Sequence, residues 1–308
     1  MIVLTSGKKY LDIDGYASCL AYRELLKMQG IDSKFVSTAI PNYSVTESLL
    51  NLPFGLDKYE ISPTDKFIII DLSNKAFFEN FVREDDIVEL IDHHPGFEGY
   101  WADKLKENSH IEQVGAIATI IAEKYEQCNL LNNMNKNIAE LLMAAILDNT
   151  LNFTAKATKQ RDIEAYKKLE ILTNNFDFKS TYFGEVQNFI EKDLVTAIVN
   201  DMKLEETCEY LPKTLGQLTI YDITTILEKL EIVKDTMNKY DEHWLINIIS
   251  LKENKSYIAC SDETVTDNLE KMFNTASINN IVALQPSILR KEIIKTALGM
   301  PMYEIRHK

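Results

Sequence analysis

The chain has 308 residues, 45% apolar and 26% charged, which is a globular composition with material for a core and length for two ordinary domains. Its 33 basic residues against 47 acidic ones leave a formal charge of −14 at pH 7; that excludes a duplex-binding surface as the expected role but allows a local basic pocket for a small anion. No apolar run reaches the roughly eighteen residues of a membrane span, the opening MIVLTSGKKYLDIDG is too soon acidic for a secretory signal, and Cys19, Cys128, Cys208 and Cys260 form no CxxC pair, so we expect reduced thiols, no membrane segment and a cytoplasmic location.

The apolar run 1–6 predicts a buried strand, and 15–29 predicts a helix with Ala17, Leu20, Ala21, Leu25 and Leu26 on one stripe. A second strand is expected over 34–40 and a short helix near 45–51. Strands at 66–71 and 87–92 follow, with a helical stretch around 75–83 between them. Apolar runs alternating with amphipathic helices predict an α/β domain with a parallel sheet and helices on both faces. From 115 to 147 the pattern is helical, and helix continues at 158–172 and 182–201. Beyond about 203 the style changes: strands are expected at 215–222, 243–251, 256–262 and 280–285, with helices near 223–240 and 264–274. The link KENK reads as a hairpin connection, so this part is expected to be a smaller α/β domain with a mixed sheet. We place the boundary near 188, giving domains 1–188 and 189–308 with the active site in the cleft between them.

In an open parallel sheet, ligands sit outside the carboxyl ends of the strands. Past the first apolar run come Asp12 and Asp14; the third strand ends in Asp71; the fourth ends in Asp92, His93 and His94; the apolar helix LLMAAIL delivers Asp148. Any one of these aspartates alone reads as a cap or turn residue. Together they would bring five carboxylates and two imidazoles to one edge, where like charges repel unless a cation compensates them. Carboxylates mixed with histidine suit Mn²⁺, Mg²⁺ or Co²⁺ better than a thiolate-favouring structural zinc site.

The stretches DIDGYAS (12–18), IIID (68–71), DHH (92–94) and AAILDNTLNF (144–153) resemble, in order, the four motifs of the DHH phosphoesterase superfamily. The stretch after Asp148, with GQLTIYD and LRKEIIKTAL (289–298), resembles the manganese-dependent (family II) inorganic pyrophosphatases and the related exopolyphosphatases with a DHHA2-type second domain. The glycine- and histidine-rich motif of the nanoRNA and cyclic-dinucleotide phosphodiesterase branch is not found. The resemblance implies two metal sites. Asp71 would bridge them; Asp14, His93 and Asp148 would complete one, and Asp12 would belong to the other. Asp92 would orient the ligands, and His94 would face the phosphate as acid or hydrogen-bond donor. Lys192, Arg290 and Lys291 would hold a small phosphorylated substrate from the second domain. It also implies hydrolysis of a phosphoanhydride, pyrophosphate or short polyphosphate, by a metal-activated water, and the pyrophosphatase branch pairs through its first domain, so a homodimer is among the expectations.

The pattern departs at Lys8, where the pyrophosphatases have a histidine four residues ahead of the first Asp and the exopolyphosphatases commonly an asparagine. A protonated lysine has no lone pair to give a metal. Either one metal binds weakly, or the Lys8 ammonium replaces part of its charge at the substrate, or Lys8 faces solvent. Leu289 and Glu292 also stand where pyrophosphatases favour serine and lysine. Other readings are a nucleotide phosphohydrolase or a non-catalytic sensor of a phosphorylated ligand. DIDG also resembles the first motif of haloacid-dehalogenase phosphatases, but there the motif directly follows its strand, whereas GKKYL intervenes here. His110, His243 and His307 are read as isolated structural or surface residues.

Overall fold

The computed structural model describes residues 1–8, 10–204 and 208–299; His307 lies outside them. The chain divides into two compact units, one of residues 1–153 with 157–182 and one of 154–156 with 183 onward. The division falls inside the helix Phe178–Lys192, which also contains position 188.

In the first unit the strands Ile2–Thr5, Ser33–Phe35, Lys66–Ile70, Ile87–Asp92 and Ser109–Ile111 form one parallel sheet. Numbered along the chain, they lie in the order 2-1-3-4-5. Leu4 pairs with Ile68, and Ile70 with Ile91. The strands Ile2–Thr5 and Lys66–Ile70 are apolar on both faces because both faces are covered. Val3, Phe67 and Ile69 join Trp101, Phe78 and Leu90 in one buried cluster, and the two-residue alternation turns Leu4, Ile68 and Ile70 to the opposite side, where they are also buried. Helix Ile13–Met28 packs against Ile117–Gln127 and Lys136–Asn149, and Lys136–Asn149 against Gln160–Thr173. The strand order reverses between the first strand and Lys66–Ile70, and this switch point is where such sheets open a crevice at their carboxyl ends.

Several elements differ from the expectation. The strand expected over 34–40 ends at Phe35, because Ser37 and Thr38 turn away to donate hydrogen bonds to the buried carboxylate of Glu79. The helical stretch expected at 75–83 is a single 3₁₀ turn, Lys75–Phe77; Phe78 goes extended and packs its ring 5.9 Å from that of Trp101. The helix expected over 182–201 is two, Phe178–Lys192 and Leu194–Asn200, the second capped by the Asp193 carboxylate at 3.0 Å from the Thr196 amide. The strand Ser109–Ile111 and the helix Glu98–Leu105 were not anticipated.

The second unit holds a mixed sheet, with Trp244–Ser250 parallel to Thr214–Ile220 and antiparallel to Lys255–Cys260, which pairs in turn with Ile281–Leu284. The hairpin through KENK is present. Short strands Lys203–Leu204 and Ser277–Ile278 lie at the two edges. Leu215, Leu245, Ile258, Leu269, Val282 and Ile293 form its core.

Candidate metal centre

Because Ile70 pairs with Ile91, the next residues of the two strands, Asp71 and Asp92, emerge side by side at the carboxyl end of the sheet. The Asp71 amide extends the ladder by donating to the Ile91 carbonyl at 2.8 Å. Asp71 itself is left-handed, with φ 63°, a conformation that costs a non-glycine residue about 1 kcal/mol or more. Strain of this kind at a strand end is a mark of a site.

His93 is fixed at both ends of its ring. Its Nδ1 lies 3.1 Å from the Val114 carbonyl, which can only accept, so Nδ1 carries the proton. Nε2 then faces Asp71, with Oδ1 at 3.5 Å. A backbone carbonyl that sets the tautomer from behind is the usual support of a metal-binding imidazole. Asp92, fully buried, accepts at Oδ1 from the amides of His93 (2.7 Å) and His94 (3.2 Å) and from the His94 ring at Nδ1 (2.8 Å). Burial works to raise its carboxyl, but the His94 hydrogen bond and the charge of the imidazoles prevail and hold it below the usual carboxylate range.

Asp71, His93 and His94 each offer a ligand atom within 4.8 Å of the others. An oxygen-and-imidazole set of this kind suits a divalent cation.

The other acids sit at helix ends. Asp12 caps helix Ile13–Met28, accepting from the Gly15 amide at 3.0 Å. Asp14 is completely buried and accepts from the amides of Ile117 (2.8 Å) and Ala118 (2.9 Å), so it holds the start of helix Ile117–Gln127. Burial, and then the charge of Asp12, drive its carboxyl well above the usual range against those two amides. A divalent cation relieves repulsion of this kind. Burial first, then the charge of Asp71 and that of Asp12, opposed by Arg23, push the Cys19 thiol up. Asp148, at the end of helix Lys136–Asn149, accepts from the Tyr182 hydroxyl at 3.0 Å.

The expected basic residues are placed variously. Lys8 is half-buried, and its amide donates to the Phe77 carbonyl at 3.1 Å. In the second unit Lys192 and Lys291 are exposed. Arg290, expected as an open cation, is buried: its guanidinium donates to the carbonyls of Asp201 and Leu215 and pairs with the Asp201 carboxylate at 3.1 Å. Desolvating a guanidinium requires such a full set of acceptors.

Sequence reading missed Val114, Ser44, Tyr182 and Asp162. Asp162 is fully buried and accepts from the Gly115 amide (2.9 Å), the Thr119 hydroxyl (2.6 Å) and the Lys159 amide (2.7 Å), so it braces the same helix start as Asp14. None of these residues carries a local spacing signal; only the fold brings each to its partner.

Residues 2–146 match the N-terminal domain of the DHH family. The manganese-dependent inorganic pyrophosphatase of Bacillus subtilis (strain 168) is 25% identical over 313 residues, covering 98% of this chain and 99% of its own. That of Methanothrix thermoacetophila is 24% identical over 306 residues, covering 93% and 94%. A crystal structure from Methanococcus jannaschii, of family II inorganic pyrophosphatase type, superposes with a TM-score of 0.69 at 20% identity, over 97% of this chain and 100% of its own, and so shares the fold.

Proposed function

We propose, from the match of residues 2–146 to the N-terminal domain of the DHH family, that the chain is a Mn²⁺-dependent phosphohydrolase whose substrate is inorganic pyrophosphate. The observation that carries this reading is the His93 ring, with Nδ1 turned to the Val114 carbonyl and Nε2 facing Asp71 at 3.5 Å. The relatives named above support manganese and pyrophosphate. Among the described residues no helix is long and apolar enough to cross a membrane.

Asp71 and His93 would hold the ion, with Asp12, Asp14 and Asp148 as further carboxylates for two sites. When bound, the cations supply Lewis acidity that acidifies water and neutralises phosphoryl oxygens. Asp92 accepts the Nδ1 proton of His94, so the ring is held with Nε2 left to exchange a proton or hydrogen-bond with the phosphate. The His94 side chain is 50% exposed, open to an incoming anion, whereas that of His93 is 4% exposed. The neighbouring histidines are thereby suited to different tasks, one to a ligand and the other to a proton. Lys192 and Lys291 are proposed as cations for the substrate.

One observation weighs against pyrophosphate as the substrate and leaves a short polyphosphate as the second reading. Glu292 stands where pyrophosphatases favour a lysine, and its carboxylate accepts from the Leu289 amide at 2.8 Å, while Arg290 is turned to Asp201. This stretch therefore offers fewer open cations than the family pattern. The test is phosphate release from pyrophosphate, tripolyphosphate and ATP with Mn²⁺, Co²⁺ or Mg²⁺ at fixed pH. Fastest release from pyrophosphate with Mn²⁺ is expected; faster release from tripolyphosphate selects the second substrate, and no release from any of them overturns the enzymatic reading.

A further inference from the structure

Helix Lys136–Asn149 ends with Asp148, and nothing in its own sequence aims that carboxylate. The residue that meets it is Tyr182, whose hydroxyl is 3.0 Å from Asp148 Oδ1 and 3.1 Å from the Ser44 carbonyl. Tyr182 is 2% exposed and lies parallel to Phe178, with ring centroids 6.3 Å apart. Ser44 in turn accepts at Oγ from the Ile13 amide at 2.9 Å, and Ile13 lies between Asp12 and Asp14. One buried phenol thus stands between the two places that supply acids, the end of one helix and the start of another.

We propose that Tyr182 is a positioning residue of the metal centre, holding the Asp148 carboxylate in register with the Asp12–Asp14 turn through its hydroxyl. The proposal rests on the metal-dependent reading above and deepens it. A hydroxyl donated to a carboxylate narrows the carboxylate's rotation and fixes which way its oxygens face. The single phenolic proton has two acceptors, and the ionised carboxylate is the stronger. The Ser44 carbonyl then serves to locate the ring oxygen. Hydrogen-bond partners that orient metal ligands in this way typically change metal affinity about 10- to 100-fold when removed.

The test is Mn²⁺ titration by calorimetry of the full chain, wild type against Tyr182→Phe, with thermal unfolding of the metal-free proteins alongside. Tyr182→Phe keeps the ring and its packing and removes only the hydroxyl. Mn²⁺ affinity is expected to fall about 10-fold or more, while Phe178→Leu, which disturbs the ring packing but leaves the hydroxyl, lowers the unfolding temperature without a matching loss of affinity. If Tyr182→Phe binds Mn²⁺ as the wild type does, the role of Tyr182 is overturned and the metal centre stands. The same holds if the two variants lose affinity only in proportion to lost stability. A wild-type protein that binds no Mn²⁺ overturns the metal centre itself, and the role of Tyr182 with it.

Discussion

The guanidinium of Arg290 lies 3.1 Å from Oδ1 of Asp201, with the two side chains only 6% and 16% exposed. The pair also ties helix Arg290–Leu298 to the sheet, through the Leu215 carbonyl. Removing one partner of a buried pair leaves the other charged and desolvated, so Arg290→Ala is expected to destabilise the second unit by about 3 kcal/mol. Each unit contains one tryptophan, Trp101 and Trp244. Urea unfolding followed through Trp244 fluorescence, in a Trp101→Phe background, isolates the effect. A loss below about 1 kcal/mol, the size expected of an exposed pair, together with a raised KM, would restore Arg290 to the substrate.

Asp71 allows charge to be separated from backbone strain. Its φ of 63° is one that asparagine tolerates well. Asp71→Asn should therefore keep the fold, with an unfolding midpoint equal to or above wild type, while phosphate release falls about a hundredfold or more through loss of an anionic ligand. Asp71→Ala adds a backbone cost of about 1 kcal/mol at the left-handed position. Wild-type turnover by Asp71→Asn at saturating Mn²⁺ would remove this cluster from the chemistry.

The pH dependence of the second unit is set in part by Asp262 and His243, whose Nδ1 and Oδ2 are 2.8 Å apart. Asp262 also caps helix Glu263–Phe273, accepting from Thr264 and Val265. Burial opposes ionisation of Asp262, but Ser261, His243 and the two amides bring its carboxyl down to about 2. Its contribution is complete above the unfolded value of about 3.9 and is lost as pH falls through about 2. The hydrogen bond to Asp262 raises the His243 imidazole, so its contribution is complete below about 6.5 and is lost as pH rises through the elevated folded value. The stability gap between wild type and Asp262→Asn should thus narrow from pH 5 toward pH 2, and that between wild type and His243→Gln from pH 6 toward pH 9. Gaps that stay flat with pH, measured by urea midpoints, contradict the assignment.

The sheet of the first unit was legible where strands are buried on both faces, since 66–71 and 87–92 can be apolar runs only if helices cover them. Ser109–Ile111 was not, because an edge strand of three residues with a serine and a histidine carries no periodicity; it exists by pairing with Leu90, Ile91 and Asp92. The acids at strand ends were legible because a strand that stops in Asp or His must aim it past the sheet edge. Their partners were not. Val114 and Tyr182 lie 21 and 34 residues from the groups they hold, and no spacing in the chain encodes that meeting. Arg290 shows the converse: a basic residue beside Lys291 reads as an open cation until its burial is known.

Gly115 is required where two buried carboxylates meet one helix start. A Cβ there would stand 2.7 Å from Thr150 Cγ2 and 2.8 Å from Asp162 Oδ2. Neither can move freely, since Asp162 also holds Thr119 and Lys159, and Thr150 is fully buried with its hydroxyl on the Ile146 carbonyl. Gly115→Ala is expected to cost about 1–3 kcal/mol as overpacking. It should also weaken Mn²⁺ binding, because the shifted helix start carries the amides that hold Asp14. Calorimetry and unfolding of the same preparation check both; an unperturbed Mn²⁺ isotherm would detach this helix start from the site.

The setting of Lys8 makes its test clean. The Gly7 backbone bridges to Phe78, and the Lys8 amide donates to Phe77, so the backbone that carries this side chain is pinned just beyond the first strand. A substitution there changes the side chain and little else. An ammonium has no lone pair, whereas a neutral imidazole has one to give a metal. With Lys8 present, one of the two proposed cations lacks its nitrogen ligand and should bind clearly more weakly than the other. Lys8→His is therefore expected to raise the number of tightly bound Mn²⁺ toward two per chain in a calorimetric titration, and to increase phosphate release at low Mn²⁺. Lys8→Ala removes the ammonium without adding a donor and should leave the weak site weak. The opposite ranking, with release reduced by Lys8→His and reduced further by Lys8→Ala, would mean that the ammonium acts on the phosphate in place of a cation. Two tight sites in the wild type, indifferent to Lys8→Ala, would refute both roles, since a residue that neither withholds a ligand nor supplies a charge cannot set the metal count.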